Sequence, residues 1–326
     1  MLRSILRLDP FLAALLGTVA LASVLPCAGQ TATVMAAITD GGIALLFFLH
    51  GARLSRQAIL AGIGAWRVHA LALGTTFGLF PAMGLALRVT SHGWLNPVIA
   101  DGMLFLCLLP STVQSSIAFT SIARGNVPAA VCSASASNVL GIFLTPVLVG
   151  LFLLSGPRGG FSAGALLAIV VQLLLPFVAG HLSRPVTAAF LTRHKQILGK
   201  VDRGTILLVV YTAFSAAVIE GLWTRYSLAD LAITLGLNAV LLAAALFLTT
   251  WIARYAGLSI ADETVVVFCG SKKSLASGVP MAGVLFPPAL LGPMVLPLML
   301  FHQMQLMICA VLAQRYGART KDRPAR

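Results

Sequence analysis

Residues 264–280 read Thr264-Val-Val-Val-Phe268-Cys-Gly270-Ser-Lys272-Lys273-Ser-Leu-Ala-Ser277-Gly-Val-Pro280. Two adjacent lysines stand inside a stretch long and apolar enough to enter a lipid bilayer. A lysine near the bilayer centre costs about 2.5–3.5 kcal/mol on insertion scales. Ten residues separate Asp262 from Lys272, which is about 15 Å of helix and roughly half the hydrocarbon thickness. That depth disfavours snorkelling of both side chains to an interface. With Gly270, Ser271, Ser274, Ser277 and Pro280 around them, the lysines predict a helix that breaks at mid-membrane to build a polar site.

The rest of the chain has the composition that such a helix needs. Of 326 residues, 59% are hydrophobic and 10% charged, and the mean hydropathy is +0.97. A soluble domain of this size could not hide so much apolar surface, so the expected class is an all-α polytopic membrane protein. Cys27, Cys107, Cys132, Cys269 and Cys309 lie in or beside apolar runs without metal-ligand spacing, and read as small buried hydrophobes. Arg3 and Arg7 before the apolar run 11–26 resemble a signal peptide. Further apolar spans follow, however, and Pro26 precedes Cys27, so the run reads as a first transmembrane helix.

Ten spans are expected, at about 10–28, 35–51, 68–88, 101–122, 127–154, 163–182, 204–222, 229–252, 263–285 and 288–313. With the N-terminus in the cytoplasm, 17 of the 22 Lys and Arg fall on the inner side. Only Arg88, Arg158 and Arg225 fall outside, and the lysine pair lies within the membrane. The net charge of +13 is thus a topology signal for both termini in the cytoplasm, and not the footprint of nucleic acid; the expected location is a cell (plasma or inner) membrane. The partner expected is the lipid bilayer; the oligomeric state is left open.

Ten spans divide into five plus five, and an odd number per half inverts the second against the first. Residues 1–183 are read as the first repeat, joined by the start of the sixth helix from about 163. A basic cytoplasmic linker follows at 184–203, the remainder of the second repeat at 204–313 and a basic tail at 314–326. The fourth span carries Pro110-Ser-Thr-Val-Gln114-Ser115-Ser116; the ninth carries Gly270 to Ser274. Paired polar interruptions at matching positions are a pointer to a transporter's binding site.

Several segments resemble one family: Arg124-Gly-Asn-Val127, Leu144-Thr-Pro146, Phe47-Phe-Leu-His-Gly51, Gly270-Ser-Lys-Lys-Ser-Leu-Ala276 and Phe301-His-Gln-Met-Gln-Leu306. Together they are similar to the bile acid–sodium symporter family (solute carrier family 10), in its member-7-like branch. The resemblance covers essentially the whole chain. It implies a panel of spans 1, 2, 6 and 7, a core of spans 3, 4, 5, 8, 9 and 10, and alternating access of one against the other. It also implies that spans 4 and 9 unwind where they cross.

Against that pattern the chain departs at sodium-site positions. The resemblance places Phe268 where sodium-coupled members have a glutamate, and Lys272 and Lys273 where they have glutamine and asparagine. Thr76, Ala130 and Ala134 fall on other oxygen-bearing positions, while Ser115 and Ser116 match a Ser-Asn pair. A sodium site needs several hard oxygen ligands, and nearby ammonium groups repel the ion. One of the lysines is therefore expected to substitute for sodium or to bind an anionic substrate. Adjacent helical residues point about 100° apart, so only one should face the crossing.

The substrate- or ion-binding candidates are Lys272, Lys273, Ser271, Ser274, Gln114, Ser115, Ser116, Ser135, Asn138 and Gln305. Serines on membrane helices also serve ordinary helix–helix hydrogen bonding, at about 0.6 kcal/mol per contact. Asp40 and Glu220 read as interfacial, and His302 serves equally well as a structural histidine or a titrating one. No cofactor and no resident metal is expected, and sodium or proton coupling is left open.

The expected function is secondary transport of an organic anion by alternating access, with sodium dependence in doubt. The alternative is an accessory or regulatory membrane protein that keeps the fold without coupled transport. An intramembrane enzyme finds no support, for the chain has no HExxH, no Gly-x-Ser-x-Gly and no paired intramembrane carboxylates.

Overall fold

The computed structural model describes residues 10–53, 64–154, 163–225 and 227–321, of which 163–172 by backbone alone. Arg3, Arg7, Arg56, Arg158, Arg323 and Arg326, part of the charge count above, lie outside the described residues, as does 322–326 of the expected tail.

The regular secondary structure of the described residues is helical, without strands. In chain order the helices are α1 (Pro10–Val24), α2 (Gly29–Arg53), α3 (Trp66–Gly74) and α4 (Phe80–Thr90). A π-helical turn, Thr75–Leu79, joins the last two. Next come α5 (Pro97–Leu108), α6 (Val113–Ile122), α7 (Val127–Val149), α8 (Ala163–Arg193), α9 (Lys195–Ile219) and the short α10 (Leu222–Arg225). The chain ends with α11 (Leu228–Tyr255), α12 (Ile260–Gly270), α13 (Leu275–Leu285) and α14 (Pro288–Lys321).

Seven helices are long and apolar enough to cross a membrane, and the bent pair α5–α6 makes an eighth if counted as one span. The seven are Gly29–Arg53, Trp66–Thr90, Val127–Leu153, Leu173–Arg193, Lys195–Ile219, Leu228–Tyr255 and Pro288–Arg319. Large apolar side chains such as Val186, Leu182, Val240 and Phe247 stand exposed on their outer faces, as expected where the surrounding solvent is lipid. An all-helical membrane protein with multiple spans is the architecture; α1 is a shorter apolar helix.

The basic stretch 184–203, expected as a cytoplasmic linker, is helical on both sides of a single turn residue, His194. Arg184, Arg193, Lys195, Lys200 and Arg203 therefore prolong α8 and α9. Their aliphatic stems can lie along a helix while the charges reach water, so basic residues mark a helix end without interrupting the helix. The stretch 314–321, read as tail, likewise continues α14.

Two groups of helices pack against each other. In one, α1 lies on α9, while α2 lies on both α8 and α9. The α2–α8 crossing is close because glycines face each other there. A Cβ on Gly51 would overlap the Phe177 carbonyl, and one on Gly180 the Phe48 carbonyl, the small-residue contact that drives helix association in membranes. In the other group α12 is central, touching α3, α6, α7 and α11, while α14 packs on α5, α6, α11 and α13. Helix α9 bridges the groups through α13 and α14.

Candidate functional site

The candidate site is the place where two broken helices meet. Helix α5 stops because Pro110 lacks an N–H and forces the residue before it out of the α region; Leu109 is extended, at φ −80 and ψ 156. The chain re-enters a helix at Val113 after a bend of 62°. The second break runs from Gly270 to Ser274. Ser271 caps the end of α12 with its amide on Val267 O. Ser274 caps the start of α13, its hydroxyl accepting from the Ser277 amide at 3.1 Å. Gly270 is required at its position, because a Cβ there would strike the Thr75 hydroxyl.

A helix end leaves carbonyls without intrahelical partners, and in a membrane each needs another donor. At the first break every carbonyl from 107 to 110 has one. Cys107 O and Leu109 O accept from Lys273 Nζ at 2.9 and 2.8 Å. Leu108 O accepts from Thr145 Oγ1 at 2.8 Å, and Pro110 O from the Ser274 amide at 3.0 Å. The third bond of the Lys273 ammonium goes to Thr76 O, 2.9 Å away in the π-helical turn, where the i→i+5 pattern disturbs normal carbonyl pairing. The ring of Phe80 lies 4.2 Å from Nζ. All three N–H donors are thus spent on backbone oxygens, at the negative end of the α5 dipole.

The second break is held as closely. The Lys273 amide donates to Gln305 Oε1 at 2.9 Å, and Gln305 Nε2 donates to Lys273 O at 2.8 Å. Thr112 Oγ1 donates to the same carbonyl at 3.0 Å. The second N–H of Gln305 meets His302 Nδ1 at 2.8 Å. Ser116 Oγ donates to Phe268 O at 2.8 Å, so α6 ties down the end of α12.

Lys272 leaves the break in another direction. Its side chain is fully buried, and Nζ has no hydrogen-bond partner among the described residues. The ammonium lies 3.6 Å from the centroid of the Phe119 ring and 5.6 Å from that of Phe268. Cation–π attraction of this kind gives about 2 kcal/mol when desolvated, against a larger cost for burying an unpaired charge.

Of the other sequence candidates, Ser271 bonds back to Val267 O, while Asn138 accepts from Ser277 Oγ at 2.8 Å. Ser115 Oγ is buried without a partner. Gln114 is exposed and Ser135 half-buried. Asp40 and Glu220 are exposed.

Sequence reasoning missed the three carbonyls around Lys273, because every residue has one and only the tertiary structure selects them. The signal that existed was Pro110, which guarantees free carbonyls one turn earlier. It also missed Thr112, Ser137 (whose hydroxyl accepts from the Ser111 amide at 3.0 Å) and a buried network at one end of the core. There Glu263, 4% exposed, is held by Arg254 Nε and Nη2 at 3.0–3.2 Å and by Tyr316 OH at 2.6 Å. This network ties α11, α12 and α14 together.

The chain matches the sequence profile of the SBF-like CPA transporter family over residues 9–318. It is 58% identical over 318 residues to an uncharacterized protein of Pseudomonas aeruginosa, covering 97% of this chain and 95% of that one. It is 51% identical over 315 residues to YfeH of Escherichia coli, a symporter by name, with 97% and 95% covered. Against the mouse protein named sodium/bile acid cotransporter 7 the identity is 27% over 273 residues, with 83% and 80% covered.

Proposed function

Because the chain belongs to the SBF-like CPA transporter family, and is therefore a transporter and not an enzyme, we propose that it carries an organic anion across the membrane by alternating access, without a sodium ion at the crossing. The observation that carries this reading is the coordination of Lys273. Its ammonium sits among three backbone oxygens at 2.8–2.9 Å, the kind of hard donors that a sodium ion would need. A tethered cation held there leaves no vacancy for a free one, and repels it.

Lys272 has the complementary role. It is a buried cation without a hydrogen-bond acceptor, so an anionic group that reaches it when the helices part gains a charge-assisted bond. The sodium and bile acid in the names of the more distant relatives are theirs; for this chain the substrate class proposed is a carboxylate or sulfate.

The finer architecture belongs to the same proposal. Ten spans would form two inverted five-helix repeats, the second starting with α8 at about residue 163, with α12–α13 as the ninth span and α5–α6 as the fourth. The group α1, α2, α8 and α9 would be the panel that moves against the core. The excess of Lys and Arg on one side supports cytoplasmic termini in a cell inner membrane.

Thermal stabilisation of the purified protein against bile salts, steroid sulfates and small carboxylates, each with and without sodium, tests the reading. Stabilisation by an anion that is the same in sodium and in potassium is expected. A shift that requires sodium would sink the tethered-cation reading. No shift with any solute would favour an accessory protein that keeps the fold.

A further inference from the structure

Outside the crossing, α11 and α14 bound a groove of about 670 Å³ on the outer face of the helix bundle, within the usual 300–1,000 Å³ of ligand sites. The two helices run in the same direction along it, and their residues follow the same order. Phe247 and Trp251 of α11 and Met307 and Ile308 of α14 form its apolar length. These four are 68%, 55%, 56% and 43% exposed. Seven residues after Phe247 comes Arg254, and eight after Met307 comes Arg315, so both guanidinium groups stand at one end of the trough.

The charge at that end is unbalanced. Arg254 gives Nε and Nη2 to Glu263, which fixes its plane while 57% of the side chain stays exposed. Arg315 is exposed and has no acidic partner among the described residues. One turn further, Arg319 is exposed on the same helix. Two guanidinium groups, Arg254 and Arg315, thus line the groove, and only Arg254 is paired with a carboxylate among the described residues. The stacked pair Trp251–Tyr255, with centroids 5.5 Å apart, places amphipathic rings at the same level, as occurs where a span meets the headgroup layer.

We propose that this groove is a binding site for one anionic phospholipid, its acyl chain along Phe247 and Met307 and its phosphate between Arg254 and Arg315. An acyl chain matches the apolar trough, and a phosphate matches the planar donors of two guanidinium groups. The anionic leaflet supplies such lipids to basic segments at a membrane surface. A second copy of the chain fits less well. A twofold contact through this face would set arginine against arginine, which costs association where charges must complement.

The test uses delipidated full-length protein in a neutral detergent, titrated with dioleoyl phosphatidylglycerol or dioleoyl phosphatidylcholine and followed by native mass spectrometry. One phosphatidylglycerol should bind at least tenfold more tightly than phosphatidylcholine, and Arg315→Gln should remove most of that preference. Arg315 has no ion-pair partner among the described residues, so this variant should keep the wild-type melting temperature in detergent. Arg319→Gln provides a second measurement, with a smaller loss. Glycerol phosphate, which has the anion without the chain, should not compete at the same concentration. Equal binding of the two lipids would overturn the proposal, as would unchanged preference in Arg315→Gln. A lipid-independent dimer abolished by Ile308→Glu would also overturn it, in favour of a second copy.

Discussion

Lys273 and Gln305 hold each other twice: the lysine amide donates to Gln305 Oε1 at 2.9 Å, and Gln305 Nε2 donates to the lysine carbonyl at 2.8 Å. One side chain thereby replaces the helical partners that the break between α12 and α13 removes. Gln305→Leu leaves a buried amide unpaired and takes one donor from the carbonyl, each unmade bond costing about 1–3 kcal/mol. The variant should melt markedly lower than wild type by fluorescence-detected thermal unfolding. Gln305→Glu can still accept from the amide but cannot donate in its ionised form, and should fall between the two.

Lys273 should be more sensitive still. Lys273→Ala strips the donor from Thr76 O, Cys107 O and Leu109 O together. The loss expected is several kcal/mol, at about 1–3 for each buried unsatisfied group. If the ammonium stands in for a cation, sodium should restore part of the stability of this variant and none in wild type. Melting curves in sodium and in choline chloride decide it; identical curves for the variant would argue against cation replacement.

Lys272 should behave in the opposite way. Its ammonium makes no hydrogen bond, so Lys272→Met removes a buried unpaired charge and should leave stability unchanged or raised. Uptake of the stabilising anion into proteoliposomes should fall at least tenfold. Normal uptake by this variant would move the substrate site elsewhere.

The α2–α8 crossing predicts coupling between two glycines. Gly51→Ala and Gly180→Ala each push a methyl into a backbone carbonyl of the facing helix, at about 1–3 kcal/mol for overpacking. Once one substitution has separated the helices the second should cost less. The double variant should therefore melt above the sum of the two losses, the non-additivity expected of residues that share a contact.

Tyr316→Phe removes the 2.6 Å bond to Glu263 but leaves Arg254 in place. Hydrogen bonds to charged groups contribute about 1.5–3 kcal/mol, so a moderate loss of stability is expected. Glu263→Gln, which also breaks the pairing with Arg254, should lose more. Both are read as shifts in melting temperature.

Much of the fold was legible in the chain because a bilayer imposes crude and strong constraints. Apolar runs of span length, their spacing and the clustering of Lys and Arg need no tertiary information. Proline and glycine marked both breaks, since Pro110 and Gly270 act on their own helices. That 184–203 is helical was not legible, because basic residues at a helix end and in an irregular linker look alike: composition records charge, and the long stems that let charge leave a helix are not a compositional signal. The Glu263–Arg254–Tyr316 network escaped for a different reason, as its members are 9 and 53 residues apart along the chain.

The sequence by itself determined that Lys272 and Lys273 lie at a break inside an apolar segment, because apolarity and interruption are properties of one segment. Only the tertiary structure decided that they differ. Lys273 meets the carbonyls that Pro110 and the π-helical turn free in other helices, whereas Lys272 meets aromatic rings. A residue's identity fixes how many hydrogen bonds it can make; the neighbours that the fold brings within 3 Å fix how many it does make.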